Sequence, residues 1–456
     1  MLFNKNRIIG GVLSLTVAFT ACEKRLDKSP FASVDADQAL LTSSDVESAL
    51  VGAYSRLGDA EVYGGDMFVY SELLGNDNEI TWSGTFQGLT QIYNKQIPVN
   101  NDFVQDTWTE SYEAINVANN VLNAIDKVVD AKKDKVAGEA KFIRAAVYFD
   151  LVRLYAKAWN DGNPSSNPGV PLVLKPTGDL ADAAKVSRNT VAEVYAQILT
   201  DLTEAEGQLS TGKTIFANRP SASALLARVY LQQGDYANAA AAADRAIKDG
   251  TNSLTGTYAE AFPVNYNAAT VPVANTTEDV FAMQVNNTQG VNDFNTYFSP
   301  MGRGDITIDP SYFSQYEEND GRLEVYYADG GSIYTGKFDM VYGNVHILRL
   351  AEMFLIRAES NFRLGGDPIG GVAPHLDINR IRARAGLDPI DAADLTLDQI
   401  LLERKLELAF EGNLLHDKKR LEIAVGPLSW NSSRLILPIP EREIKVNANL
   451  IQNEGY

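Results

Sequence analysis

Histidine, cysteine and paired carboxylates are where catalysis or metal chemistry would start, and this chain is poor in the first two. Its three histidines, His346, His375 and His416, stand far apart. None has the H-E-x-x-H spacing that puts two imidazoles on one helical face for zinc. There is no G-x-S-x-G nucleophile elbow and no G-x-x-x-x-G-K phosphate loop. Gly365-Gly366 and Gly370-Gly371 flank a turn but lack the strand-to-helix setting of a dinucleotide site. Carboxylates are abundant, and a glycosidase needs two of them about 5–10 Å apart; the sequence nominates no pair. Asn76-Asp77-Asn78-Glu79 and Glu317-Glu318-Asn319-Asp320 offer oxygens of the kind Ca²⁺ takes, though neither has EF-hand spacing. A structural Ca²⁺ is therefore the one metal option, and no cofactor is expected. Arg382 and Arg384 with Glu403, Glu407 and Glu411 read as buried or interhelical ion pairs.

The single cysteine carries a different chemistry. Lys5 and Arg7 precede an apolar run from Ile8 to Ala21, and Cys22 follows directly. The run is shorter than the ~20 residues a membrane span needs and has the layout of a secretory signal peptide, residues 1–21. A lone cysteine in an exported chain has no intramolecular partner. The stretch resembles a bacterial lipobox, with Phe19 where leucine is usual, which makes Cys22 the lipid attachment site and the new N-terminus. Residues 22–35 are polar, contain Pro30 and have no period, as a tether would.

The remaining chain must fold as a scaffold. At 45% hydrophobic and 22% charged over 456 residues, it has an ordinary globular composition with ample length for a core. Its net charge of -19 becomes -21 once Lys5 and Arg7 leave with the leader, and so acidic a surface repels phosphate backbones. Nucleic acid is excluded as a partner on that ground. Ser43–Leu57 has apolar residues at helical spacing behind a cap at Ser44 or Asp45. The glycine-rich stretch 58–101 reads as a long loop that carries Tyr63, Trp82, Phe86, Gln87 and Tyr93, and long loops inside compact domains are often functional. Amphipathic helices follow over 106–129 and 139–156, separated by about ten polar residues. Thr190 with Glu193 is a capping box that opens another. From Pro220 a pair of helices, broken at Gly234-Asp235, has the small-residue spacing of a tetratricopeptide repeat. Helical periodicity fades over 250–345, where Asp279–Gln284 is β-like. It returns at 346–364, 377–385 and 396–411.

Several segments together resemble the SusD/RagB family of outer-membrane nutrient-uptake lipoproteins. They are Leu26-Asp27, FIRAAVYFDLVRLYA with its Arg144, RLAEMFLIRAES (349–360), INRIRARAGL (378–387) and ERKLELAFEGNLLHDKKR (403–420). Most specific is LPIP at 437–440 with the terminal IQNEGY. Leu415-His416 and Glu454 depart from the usual pattern. The resemblance spans nearly the whole mature chain. It implies a mainly α fold in which tetratricopeptide-like helix pairs carry a loop-rich ligand surface and a few short strands. The implied organisation is one compact domain over 36–456, with lobes at about 36–250 and 251–456. It also implies no catalytic activity, a lipid-anchored place on the outer-membrane surface, and a SusC-like TonB-dependent transporter as partner. The implied function is capture of a glycan for that transporter, with peptide capture as the alternative and a secreted glycosidase as a remoter one.

Sugars present apolar C–H faces rimmed by hydroxyls, which rings cover and amides or charged groups satisfy. By position, the resemblance favours two stretches. One is Thr81–Gln87, with Trp82, Phe86 and Gln87 as candidate ligand residues. The other is Asp293–Phe298, with Tyr297 and Phe298.

Overall fold

The computed structural model describes residues 39–177, 186–263, 274–286 and 288–456. Cys22, the expected leader and the whole of the expected tether lie outside the described residues. Helix makes up 53% of the described residues, against roughly one third in an average globular domain, so the class is mainly α as expected.

Helix α1 (Ser43–Leu57) is capped by Thr42, not by Ser44 or Asp45. Thr42 Oγ1 accepts from Asp45 N at 3.3 Å, while the Asp45 carboxylate accepts from Thr42 N at 2.8 Å. Asp45 is thus the reciprocal third position of a capping box. The 58–101 stretch, read as loop, contains α2 (Asp66–Gly75), strand β1 (Ile80–Trp82) and α3 (Gln87–Tyr93). All ten residues of α2 are buried. A helix covered on every side has no polar face, so no period appears in its sequence. Helices α4 (Asp102–Asn123) and α5 (Asp130–Tyr155) are joined by one turn of 3₁₀ helix at Ile125–Lys127. The polar residues read as a ten-residue link are the first turns of α5.

The Thr190–Glu193 capping box forms as the spacing predicts and opens α6 (Val191–Gln208). α7 (Arg219–Gln233) and α8 (Tyr236–Asp249) are the pair broken at Gly234-Asp235. Gly234 takes φ +73°, which ends α7 in a left-handed turn, and the Asp235 carboxylate accepts from Asn238 N to start α8. Ala239, Ala240, Ala242, Ala243 and Ala246 are all buried, which lets α8 lie close to its neighbours.

The irregular region holds β2 (Asp279–Met283), α9 (Asp293–Phe298), β3 (Ile306–Ile308), β4 (Tyr326–Asp329) and β5 (Ser332–Thr335). Residues 345–349 form β6 (Val345–Arg349), which leads straight into α10 (Leu350–Leu364). The helix therefore starts four residues later than His346, because β6 pairs with β2. The chain closes with α11 (Pro374–Arg384), α12 (Leu397–Glu407), α13 (Leu414–Arg420) and α14 (Glu441–Val446). Among the described residues the sheets are three antiparallel pairs, β1–β3, β2–β6 and β4–β5.

The helices pack in series: α1 on α4, then α5, α6, α7, α8, α10, and α10 on α11 and α12. One apolar cluster runs from Val46 to Leu450. Arginine–carboxylate pairs tie the layers internally. Arg144 grips Asp201 with two bonds of 2.8 and 2.7 Å, and Arg349 reaches Glu278, Glu407 and Glu411. The expected pairs form between Arg382 and Glu403 and between Arg384 and Glu407, whereas Glu411 pairs with Arg349 and Lys337. At the C-terminus, Gln452 exchanges both its amide bonds with the backbone of Ile439. Asn453 Nδ2 donates to Leu437 O and to Tyr155 O, each at 2.8 Å. The terminal QN thus reads the backbone of LPIP and clamps it to the end of α5.

Candidate ligand-binding face

The short β1–β3 ladder brings the two candidate stretches together. Trp82 is the cross-strand partner of Ile306, and one residue further Ser83 N donates to Asp305 O at 2.8 Å. The loop 83–86 therefore lies against the segment that follows α9. Trp82 is 8% exposed, with its indole Nε1 donating to Thr90 Oγ1 at 2.9 Å. Thr90 Oγ1 in turn donates to Phe86 O at 2.9 Å, which fixes the loop to the first turn of α3. A Cβ on Gly84 would stand 2.3 Å from Trp82 Cζ2, so the loop crosses the indole edge at a distance only glycine allows.

Tyr297 packs behind this wall, its ring centroid 6.0 Å from that of Trp82. Phe86 is edge-on to Tyr297 at 6.3 Å and to Phe103 at 5.6 Å. Its other face carries the Arg303 guanidinium 4.4 Å from the ring centroid. Arg303 Nε donates to Asp305 Oδ2 at 2.6 Å and Nη2 to Thr85 Oγ1 at 3.0 Å, so the cation is held over the ring. Phe86 is 38% exposed, and its sequence neighbour Gln87 is exposed as well.

Of the five candidates, then, Trp82, Phe86 and Tyr297 form one ring cluster with Gln87 at its edge. Phe86 and Gln87 face solvent, while Trp82 and Tyr297 are mostly covered. Phe298 turns inward: it is fully buried and packs against Phe338 at 5.4 Å and Phe410 at 5.9 Å.

Three further residues near this face were not among those singled out from the sequence. Arg303 is the cation over Phe86. Tyr327 and Tyr334 are cross-strand partners in the β4–β5 hairpin, half-buried, with ring centroids 6.2 Å apart. Gly304, at φ +62° and next in sequence to Arg303, lets the chain pass close to Tyr334: a Cβ there would lie 3.3 Å from Tyr334 Cε1. The Gly330-Gly331 turn between the two tyrosines was the available signal, since it marks a hairpin and hence a same-face pair.

Acidic groups back the wall from inside. Burial first, then the neighbouring Asp293 and Glu61, raise the Asp66 carboxyl well above its ordinary range. Asp293 is pushed up to about 6, again mainly by burial. Tyr297 is raised by burial and then by Asp66, Asp293 and Asp305. Neither Asp66 nor Asp293 opens to solvent, at 4% and 8% exposure, so this pair is not placed to act on a bound chain. In the clusters read as Ca²⁺ options, several of the oxygens already have partners. Asn76 Oδ1 accepts from Glu79 N and Ile80 N, Glu79 pairs with Lys405 and Lys418, Glu317 with Arg382, and Asp320 with Arg322. Among the described residues no group of three or more histidine, cysteine or acidic side chains could hold a metal, and no helix is long and apolar enough to cross a membrane.

Comparison with known proteins places this architecture. Residues 25–231 match the family model described as "Starch-binding associating with outer membrane", and residues 335–435 match that of the SusD family. A SusD-like protein P2 of Formosa agariphila is 24% identical, over 94% of this chain and 96% of its own length. Among solved structures, a SusD superfamily protein from Bacteroides vulgatus superposes with a TM-score of 0.81 at 26% identity, covering 91% of this chain and 99% of the other. A laminarin-binding SusD-like protein superposes with a TM-score of 0.73 at 23% identity, covering 91% and 100%. With two models of one family matching its two ends and relatives aligning along nearly all of it, the chain belongs to the SusD/RagB family.

Proposed function

We propose that this protein captures an uncharged oligosaccharide on the face built by Phe86, Arg303 and the Tyr327–Tyr334 hairpin, and passes it on without cleaving it. The observation that carries this reading is the half-exposed Phe86 ring clamped between Tyr297, Phe103 and the Arg303 guanidinium. A ring already fixed on three sides loses little freedom when a sugar packs against its exposed part. Gln87, Arg303 and Thr85 supply donors and acceptors at its rim for hydroxyls, while Trp82 and Tyr297 stiffen the wall from behind. The starch-binding description of the matched family and the laminarin-binding neighbour both support a glucan. The net charge of -19 disfavours an anionic polymer. In this reading Cys22 carries the lipid that holds the protein at the outer-membrane surface, and a SusC-like TonB-dependent transporter receives the ligand.

Titration calorimetry of a soluble form beginning after Cys22, against starch and laminarin oligosaccharides and a set of peptides, tests the reading. Saturable glucan binding is expected, with Phe86→Ala weakening it about tenfold, or about 1.4 kcal/mol. Peptide binding in place of sugar binding would sink it, and so would release of shortened sugars by the purified protein.

A further inference from the structure

A pocket of about 260 Å³ opens between α1 and α5, and no residue of the aromatic face lines it. Its walls are aliphatic at Leu50, Val51 and Val136 and aromatic at Tyr54 and Phe216, whose ring centroids are 4.7 Å apart. At its floor is Glu139. This residue is 2% exposed, and its Oε1 has no hydrogen-bond partner. The nearest cation is Lys135 Nζ at 3.7 Å, beyond hydrogen-bond reach, on a side chain 66% exposed. The Tyr54 hydroxyl, which accepts from Ala217 N at 2.9 Å, is turned to the Glu139 carboxyl. Against the rise that burial causes, Lys135 and Tyr54 both lower that carboxyl's pKa, but neither closes on Oε1 at hydrogen-bond length, so each is a distant, weak donor to it. At the rim, Lys132 and Glu47 close on each other at 2.8 Å.

A buried carboxylate oxygen without a donor is costly, and a ligand that supplies an N–H removes the cost. We propose that this pocket binds a small primary amine, its ammonium on Glu139 Oε1 and its aliphatic stem between Val51 and the Tyr54–Phe216 rings. The ring faces favour a cation. The volume lies below the roughly 300–1,000 Å³ of pockets for drug-sized ligands, so the amine is short. Rim charge does not oppose it, because Lys132 is neutralised by Glu47 and Lys135 is displaced toward solvent as the ammonium takes its place.

The charged and titratable groups facing the floor are few. α1 brings Tyr54 and Glu47, α5 itself brings Lys132 and Lys135, and the 209–218 segment presents the uncharged Phe216. Burial raises the Glu139 carboxyl to about 7, so protons compete with the amine below that pH.

Saturation-transfer NMR and calorimetry on the full chain, with n-butylamine and n-butanol as probes, test the assignment. At pH 8.5 the amine binds and the alcohol does not. Affinity for the amine falls at least tenfold at pH 5.5 and in Glu139→Gln, and it rises in Lys135→Met, which removes the competing cation. Val51→Trp, at a position 55% exposed, blocks the mouth without touching the core and abolishes binding. Equal binding of alcohol and amine, or unchanged amine affinity in Glu139→Gln or in Val51→Trp, overturns the proposal. None of these results depends on the glycan face.

Discussion

Gly84→Ala adds one methyl group to the loop and removes nothing, which makes it a sensitive probe of how the aromatic wall is held. The new Cβ would meet Trp82 Cζ2 at 2.3 Å, Cη2 at 2.5 Å and Asp305 Cγ at 2.8 Å. Ordinary contact begins at 3.4 Å, so the indole must retreat by roughly 1 Å. It cannot do so freely, because Nε1 is bonded to Thr90 and the ring lies against Tyr297. Overpacking of this kind costs about 1–3 kcal/mol, and losing the Thr90 bond adds about 1 kcal/mol. At about 2 cal/mol/K per residue, a chain of this length loses about 1 °C of Tm per kcal/mol, so the expected drop is about 2–4 °C. Scanning calorimetry measures the drop, and titration with the preferred glucan measures the second consequence. Thr90 also holds the carbonyl of Phe86, so a displaced indole loosens Phe86, and affinity should fall although no group proposed to touch ligand has changed. An unchanged Tm together with unchanged affinity would refute the account of Trp82 as the brace of Phe86.

Three further outcomes are expected. Arg144→Met strands the Asp201 carboxylate in the α4–α5–α6 layer and should cost about 3–5 kcal/mol in urea unfolding, whereas Arg144→Met with Asp201→Leu should cost less than that single change. For Glu411, burial alone would push the carboxyl up, but Arg349 and Lys337 hold it at about 2. Its folded value is below its unfolded value of 4.5, so its contribution is complete above pH 4.5 and is lost as pH falls toward 2; stability in that window should drop less steeply in Glu411→Gln than in the parent. Cys22→Ser should leave glucan affinity in solution unchanged while moving the protein out of the membrane fraction and stopping uptake; continued membrane association would show that the cysteine is dispensable.

What the sequence made legible follows from how locally each feature is encoded. The Thr190–Glu193 cap, the Gly234-Asp235 break and the Arg382–Glu403 and Arg384–Glu407 pairs rest on residues a few turns apart, or on charges that must be matched once buried. Helix α2 and the strand β6 were hidden for the opposite reason. Each is covered on nearly all sides, so neither carries the polar–apolar alternation that reveals a surface element. At the candidate site, ring composition drew attention to Thr81–Gln87 and Asp293–Phe298, but composition does not say which way a ring points. Phe298 and Tyr297 are neighbours in sequence, yet one packs into the core and the other against Trp82. Arg303 became visible only through the β1–β3 ladder, which joins positions more than two hundred residues apart.

The clasp of Gln452 and Asn453 on LPIP has a consequence for how this corner of the protein can open. The carbonyls of Tyr155, Leu437 and Ile439 share the same two amide side chains and lose their donors together if that segment lifts away. The end of α5 and the 437–440 stretch are therefore fastened or released as one unit, so hydrogen exchange at Ile439 N should report the loosening of both.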